Sequence, residues 1–211
     1  MRFPTAALLA LSLTAALPGC GVIKALEGEP DRDVFELRPP SDVPMKCGRG
    51  RVAELVIEPP KTRGTLDTDR IMIRPSALQT QYLPDSRWGD TVPVTLQTLL
   101  VRGFSLYDVW THVGRVPLGT AGDYAIISEI NDFNAEVSGD GAIVKMTVDA
   151  QMVREADATV VSRGHFVTSS TAASTKTADL VPAFDAAGQQ LVAQMTAWGL
   201  KAVGVNAERC R

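Results

Sequence analysis

The chain has 211 residues, 45% of them apolar, 21% charged and 6% aromatic, with a formal net charge of −3. That composition fits one globular domain with a real core and excludes a disordered or fibrous chain. The slightly acidic balance, with no basic run and no interleaving of aromatic and basic residues, argues against a nucleic-acid partner.

The first element is Met1 to Cys20, MRFPTAALLALSLTAALPGC. One positive charge at Arg2 precedes an uncharged, mainly apolar run from Ala6 to Leu17, too short to remain as a membrane span, and small residues then lead into a cysteine. Leu17-Pro18-Gly19-Cys20 has the layout of a lipobox, which predicts cleavage after Gly19 and lipid on Cys20. The competing reading is an ordinary secretory leader with Cys20 merely near the cut. A diacylglyceryl group with an N-acyl chain would hold the mature protein on a membrane surface without crossing it. Removing 19 of the 211 residues leaves 192, and loss of Arg2 takes the net charge from −3 to −4.

The expected divisions are a leader over 1–19, a lipidated cysteine and tether over 20–47, a folded domain over 48–203 and a tail over 204–211. Gly21 to Lys46 is rich in Glu, Asp, Arg and Pro, cannot bury enough apolar surface to order itself, and as a flexible coil would span roughly 25 to 30 Å. Within it, Val34 to Leu37 alternates briefly and could add an edge strand. Cys47 and Cys210 are the cysteines left to the folded part. In an exported chain they are either one disulfide, closing a long loop and stabilising by about 4 to 5 kcal/mol, or two separate thiols.

Further elements follow from periodicity. Strands are predicted over Arg51 to Glu58, stopped by Pro59-Pro60, over Arg70 to Arg74, ended by Pro75, and over Leu78 to Leu83, closed by Pro84-Asp85. Trp88, Val92, Leu96, Leu99 and Leu100 recur at helical spacing within 85–103, with Asp90 at the cap and Pro93 in the first turn. Strand patterns return over 104–113 and, after a Gly/Pro loop, over Asp123 to Ala135, where Ile126 and Ile130 oppose Ile127 and Phe133. Ala142 to Met152 alternates most cleanly, and a turn at Glu155 to Asp157 leads it into a hairpin with Ala158 to Thr168. Ser169 to Lys176 reads as a polar loop, and Asp179 to Leu200 as a second helix carrying Phe184, Leu191, Met195 and Trp198 on one face. This order predicts an α+β fold, a single domain whose mainly antiparallel sheet is covered on one face by two helices.

Chemistry-bearing patterns are sparse. His112 and His165 lie on different predicted strands without ligand-spaced partners, and the chain has no GxSxG, Walker, HExxH or CxxC motif. Ser174 and Lys176 lack the spacing of a Ser-x-x-Lys nucleophile. Asp123, Glu129, Asp132 and Glu136 could supply acid-base carboxylates, but a charged solvent face accounts for them. We expect no enzyme, cofactor or metal.

The succession of lipobox, acidic-proline segment, Val-rich strand, Asp69-Arg70-Ile71 before a strand reaching Arg74, Tyr82 before Arg87-Trp88, then a helix, resembles the ABC-type transport auxiliary lipoprotein family. Ile127 to Phe133, ISEINDF, and the last helix up to Trp198 are similar to that family's second half. The likeness covers Arg51 to Leu200, although Thr68 separates Asp67 from Asp69-Arg70 and Gly89-Asp90 follows Trp88 where members commonly carry other residues. The resemblance implies a non-catalytic component docking with an MCE-domain protein, itself coupled to an inner-membrane permease and ATPase, in lipid traffic between membranes, and leaves room for a homo-oligomer. It nominates Arg70, Arg74, Tyr82, Arg87 and Trp88 as partner-binding residues, with Trp88 packed inside and Arg70 in an internal ion pair as the bland alternative. With no aspartate at position 21, the periplasmic face of the outer membrane is favoured over the inner membrane. The second functional class is a carrier that shelters an acyl chain in a pocket on the order of 300 Å³ or more.

Overall fold

The computed structural model describes residues 32–39, 45–48 and 53–211. Cys20, the leader and the lipobox lie outside the described residues, as do Arg51 and Val52 at the head of the first predicted strand. The described residues form an α+β unit with a nine-stranded sheet, two α-helices and a short 3-10 helix, Ala207–Arg209. Its strands are β1 (Asp33–Phe35), β2 (Ala53–Ile57), β3 (Lys61–Thr62), β4 (Arg70–Ser76), β5 (Gln79–Trp88), β6 (Trp110–Gly114), β7 (Tyr124–Ser138), β8 (Gly141–Arg154) and β9 (Thr159–Ala172). The helices are α1 (Val92–Ser105) and α2 (Thr177–Ala202).

The long strand β7 organises the sheet. Along one side it pairs antiparallel with β8 over its full length, and β8 pairs antiparallel with β9. Along the other side β2, β3 and β4 share it in succession, each parallel to it and only two or three residues long in register. β6 extends the sheet beyond β2, while β5 and then β1 extend it beyond β4.

One extra residue in β7 sets which side chains meet the core. Ile130 pairs with Val148 and Asp132 with Thr147, so Asn131 is a bulge. A bulge shifts the two-residue alternation by one. Ile126 and Ile130 before it, and Phe133 and Ala135 after it, are therefore all buried on one face. Strict alternation sets Phe133 opposite Ile126; the bulge brings it over.

Phe133 completes a set of three rings. Trp88 meets Phe184 edge-on at 5.2 Å and Phe133 at 6.1 Å, and Phe133 lies 5.7 Å from Phe184, all three at most 1% exposed. The set joins β5, β7 and α2. Trp88 thus ends β5 instead of heading α1, which starts at Val92 with Thr91 at its cap and Pro93 in its first turn. Phe104, expected in a strand, belongs to α1 and stacks edge-on to Trp110 at 6.0 Å. The helices approach closely at small residues: a Cβ on Gly103 would sit 2.4 Å from Val192 Cγ1, and one on Gly199 2.6 Å from Phe104. The buried Gln97 donates to Ile57 O at 2.7 Å, fastening α1 to β2.

Other boundaries differ for local reasons. Pro75 and Pro84 lie inside β4 and β5, because both fall where the pairing of those strands slips and no ladder donor is lost. β9 continues through the hydroxyl-rich stretch to Ala172, since β8 supplies a paired partner at every residue from Ser162 onward. α2 begins at Thr177, where Ser174 Oγ takes the Lys176 N–H at 3.1 Å and donates to the Asp179 carboxylate.

The N-terminal side of the unit is fastened at two places. Leu37 is buried, and Asp185 of α2 accepts the Arg38 backbone N–H at 2.8 Å and its Nε–H at 3.1 Å, with an ion pair to Nη2. Cys47 and Cys210 are joined by a disulfide, and Lys46 and Arg211 exchange backbone hydrogen bonds of 2.7 and 2.9 Å beside it.

Deleting Asn131 would turn Phe133 and Ala135 to solvent. Urea denaturation of that variant should show a loss on the order of 3 to 5 kcal/mol, the scale for losing a buried aromatic, while Asn131→Ala, which keeps the spacing, should cost far less.

Candidate functional site

Both helices pack on the side of the sheet bearing Ile126, Phe133, Met146 and Phe166. On the opposite side of β7 to β9 stand Ile127, Glu129, Ile143, Asp149, Arg163, His165 and Val167, all exposed. No described helix packs on this face, which is the candidate surface.

Four of the five residues nominated from sequence lie on the non-core side of β4 and β5. Alternation places Ile71, Ile73, Leu83 and Trp88 in the core, with the irregularity at Pro84-Asp85 keeping Leu83 and Trp88 on one side. Arg70, Arg74, Tyr82 and Arg87 consequently face the other way. The Arg70 guanidinium lies 4.4 Å from the centre of the Tyr82 ring, and Tyr82 Oη donates to Thr65 O at 2.8 Å. Arg87 Nη1 approaches Asp69 Oδ2 at 3.4 Å. The ion pair expected of Arg70 is therefore made by Arg87, and Arg70 stacks instead. Trp88 is a correction to the partner-binding set: at 1% exposure its ring has no surface to offer.

Arg74 belongs to a larger charge cluster. Asp132 lies 3.3 Å from Lys145, 3.9 Å from Arg63 and 3.9 Å from Arg74, and Arg74 also reaches Glu136 at 3.8 Å. The carboxylates grouped at sequence level do not converge into an acid-base pair. Asp123 and Glu136 stand near opposite ends of β7, about 40 Å apart along the strand, and Asp123 Oδ2 takes the Glu54 backbone N–H at 2.7 Å.

Towards the other end of the face a groove of about 610 Å³ is bordered by Lys61, Ile127, Glu129, Asp149, Arg163 and His165. Its best-defined contact is His165 Nδ1 to Asp149 Oδ1 at 2.7 Å, with Asn131 Nδ2 donating to Asp149 Oδ2 at 2.6 Å. The hydrogen bond from His165 outweighs the cost of desolvation and, with a lesser contribution from Asn131, holds the Asp149 carboxyl below its ordinary range. This pair escaped sequence reasoning, though a signal existed: Asp149 and His165 occupy outward positions on the two arms of a predicted hairpin, where opposite registers bring such residues together. His112 is half-buried in β6. Among the described residues no group of three or more His, Cys, Asp or Glu could hold a metal ion, and no helix is long and apolar enough to cross a membrane.

Two substitution series separate core from surface. Trp88→Ala should cost about 3 to 5 kcal/mol in chemical denaturation, whereas Arg70→Ala and Arg87→Ala, at exposed contacts, should each cost about 1 kcal/mol or less. For the groove, an Asp149 folded-state pKa below the unfolded value means that its contribution is present above the ordinary aspartate range and fades as pH falls through the depressed value. NMR titration of the Asp149 carboxyl should show a lowered midpoint, and His165→Ala should move it upward.

Comparison with known proteins adds a family and a fold. Residues 35–196 match the family described as ABC-type transport auxiliary lipoprotein component. The chain is 26% identical over 193 residues to an uncharacterized protein of Bradyrhizobium diazoefficiens, covering 87% of this chain and 50% of that one, so it spans about half the length of that curated relative. A solved structure from Xanthomonas campestris matches with a TM-score of 0.72 at 21% identity, over 82% of this chain and 97% of its own. A second solved structure, of an uncharacterized protein, gives 0.60 at 14% identity over 79% and 97%. At those identities the structural likeness is one of fold.

Proposed function

The chain belongs to the ABC-type transport auxiliary lipoprotein components, and from that membership we propose that it works without catalysis, as a lipid-anchored docking module of an ABC/MCE-type system moving lipid between membranes. In this proposal the leader is cut after Gly19, Cys20 carries the lipid, and the anchor sits in the periplasmic face of the outer membrane. The described domain grips an MCE-domain protein, and ATP hydrolysis belongs to the partner ATPase. The family match over residues 35–196 carries the proposal. The second face of β7 to β9 agrees with it, since no described helix covers it and its exposed polar and aliphatic side chains suit contact with another protein.

The same geometry disfavours an acyl-chain carrier. Such a carrier needs an enclosed apolar pocket, whereas the space between helices and sheet is filled by Leu100, Phe104, Phe184 and Met195, each fully buried. The 610 Å³ groove opens on the wet face and is bordered by charged side chains.

The test is gentle detergent extraction of the tagged full-length chain, followed by identification of what comes with it. An MCE-domain protein together with a permease and an ATPase is the expected result. Recovery of the chain alone, or an intact mass showing no acyl groups on the N-terminal cysteine, would overturn the proposal. Cys20→Ser should move the protein from the membrane fraction to the soluble one.

A further inference from the structure

β9 has one occupied side and one free side. It pairs with β8 from Thr159 to Ala172, and no other described strand pairs with it. In an antiparallel ladder alternate residues turn both backbone groups to the neighbour, and those between turn both away. Trp198 Nε1 donates to Arg163 O at 3.3 Å, which puts Arg163 in the outward set. The register with β8 is unbroken from Ser162 to Ala172. His165, Val167, Ser169 and Thr171 therefore also direct N–H and C=O groups outward, and all five residues are exposed.

A free edge of this length normally carries protection: lysine, inward charge, proline or a bulge. From Gly164 to Ala172, GHFVTSSTA, there is no proline, no lysine and no acidic residue, and the irregularity of β9 lies at its other end, beside Val160. Val167, in the middle, is 49% exposed. Arg163 enters no ion pair among the described residues, while its neighbour on the same face, His165, is held by Asp149.

We infer that the outer side of β9, from Arg163 to Thr171, receives an extended segment of a partner polypeptide as a further strand of the sheet. From His165 on, main-chain groups without a partner strand among the described residues recur at every second residue, and such a row is matched fully only by another backbone. The chemistry of the side chains narrows the occupant: a strand-forming segment with a carboxylate for Arg163 and an aliphatic residue beside Val167, four positions along on the same face. A second copy of β9 fits less well, because Thr159 to Ala172 contains no Asp or Glu to offer Arg163. The Trp198 indole, already bonded to Arg163 O, marks where the added ladder stops. This inference rests on the docking role proposed above and locates its surface.

The test places a benzophenone amino acid at Val167, and separately at Gln194 on the exposed side of α2, in the full-length chain within the membranes of the cells that make it. Adducts are identified by mass spectrometry. The expected result is an adduct at Val167 with a subunit of the ABC transport system, reduced at least tenfold by Ser169→Pro, which removes an outward N–H, and by Arg163→Glu, with circular dichroism unchanged. Adducts with the transport system at Gln194 only, an adduct of the chain with itself at Val167, or a Val167 yield indifferent to both substitutions would overturn the edge site and leave the docking role standing. Adducts at neither position would overturn the edge site, and the co-extraction described above then decides the docking role by itself.

Discussion

The contact of Trp88, Phe133 and Phe184 is the constraint on which the remaining architecture depends. Each ring comes from a different part of the fold, the hairpin of β4 and β5, the central strand β7, and α2. Packing three large apolar groups against one another removes water from the place where these parts converge, and burial of this kind is the dominant favourable contribution to folding. The contact exists only because Asn131 shifts the phase of β7. The same bulge residue hydrogen-bonds Asp149 on the opposite face, so the residue that positions the core also helps arrange the groove.

A sheet with one covered face divides its residues between two tasks. The even positions of β8 from Ala142 to Met152 are all buried, and they hold the helices. Of the odd positions, Ile143, Lys145, Asp149 and Gln151 carry charge, amide and exposed aliphatic groups, while Thr147 among them is buried. Mixed chemistry of that sort suits a protein contact, where polar groups fix register and a few apolar side chains supply affinity. It suits a lipid cavity poorly, for burying such groups without partners is costly.

Much of this plan was readable from residue order. β8 was legible because a regular two-residue alternation survives in it, and α2 because its apolar stripe repeats at helical spacing over several turns. The helical pairing of Trp88 with Val92 was misleading, since a strand's last residue and a helix's first can fall at that spacing by chance. Strict alternation puts Phe133 on the wrong face because a bulge leaves no local signature beyond its effect on pairing. The end of β9 was hidden for a related reason: Ser169, Ser170 and Thr171 have loop-like composition, and only the neighbouring strand makes them extended. For the surface, Arg70, Arg74, Tyr82 and Arg87 were nominated by family likeness alone, and their common side is a finding of the fold; Asp149 with His165 and Arg38 with Asp185 likewise required the third dimension. The latter pair spans 147 positions of sequence.

The fastening of the N-terminal side has a mechanical consequence. A force applied ahead of Arg32 would be borne first by the three-residue pairing of β1 and by the Arg38 clasp on α2, both of which can open reversibly. Opening them also draws Leu37 from the core, and the load then meets the backbone bonds of Met45 to Leu106 and Asp108. The travel ends at Cys47, since the disulfide passes the tension to Cys210, beyond the far end of α2. The give is thus confined to the segment ahead of Cys47, and the disulfide is its covalent stop.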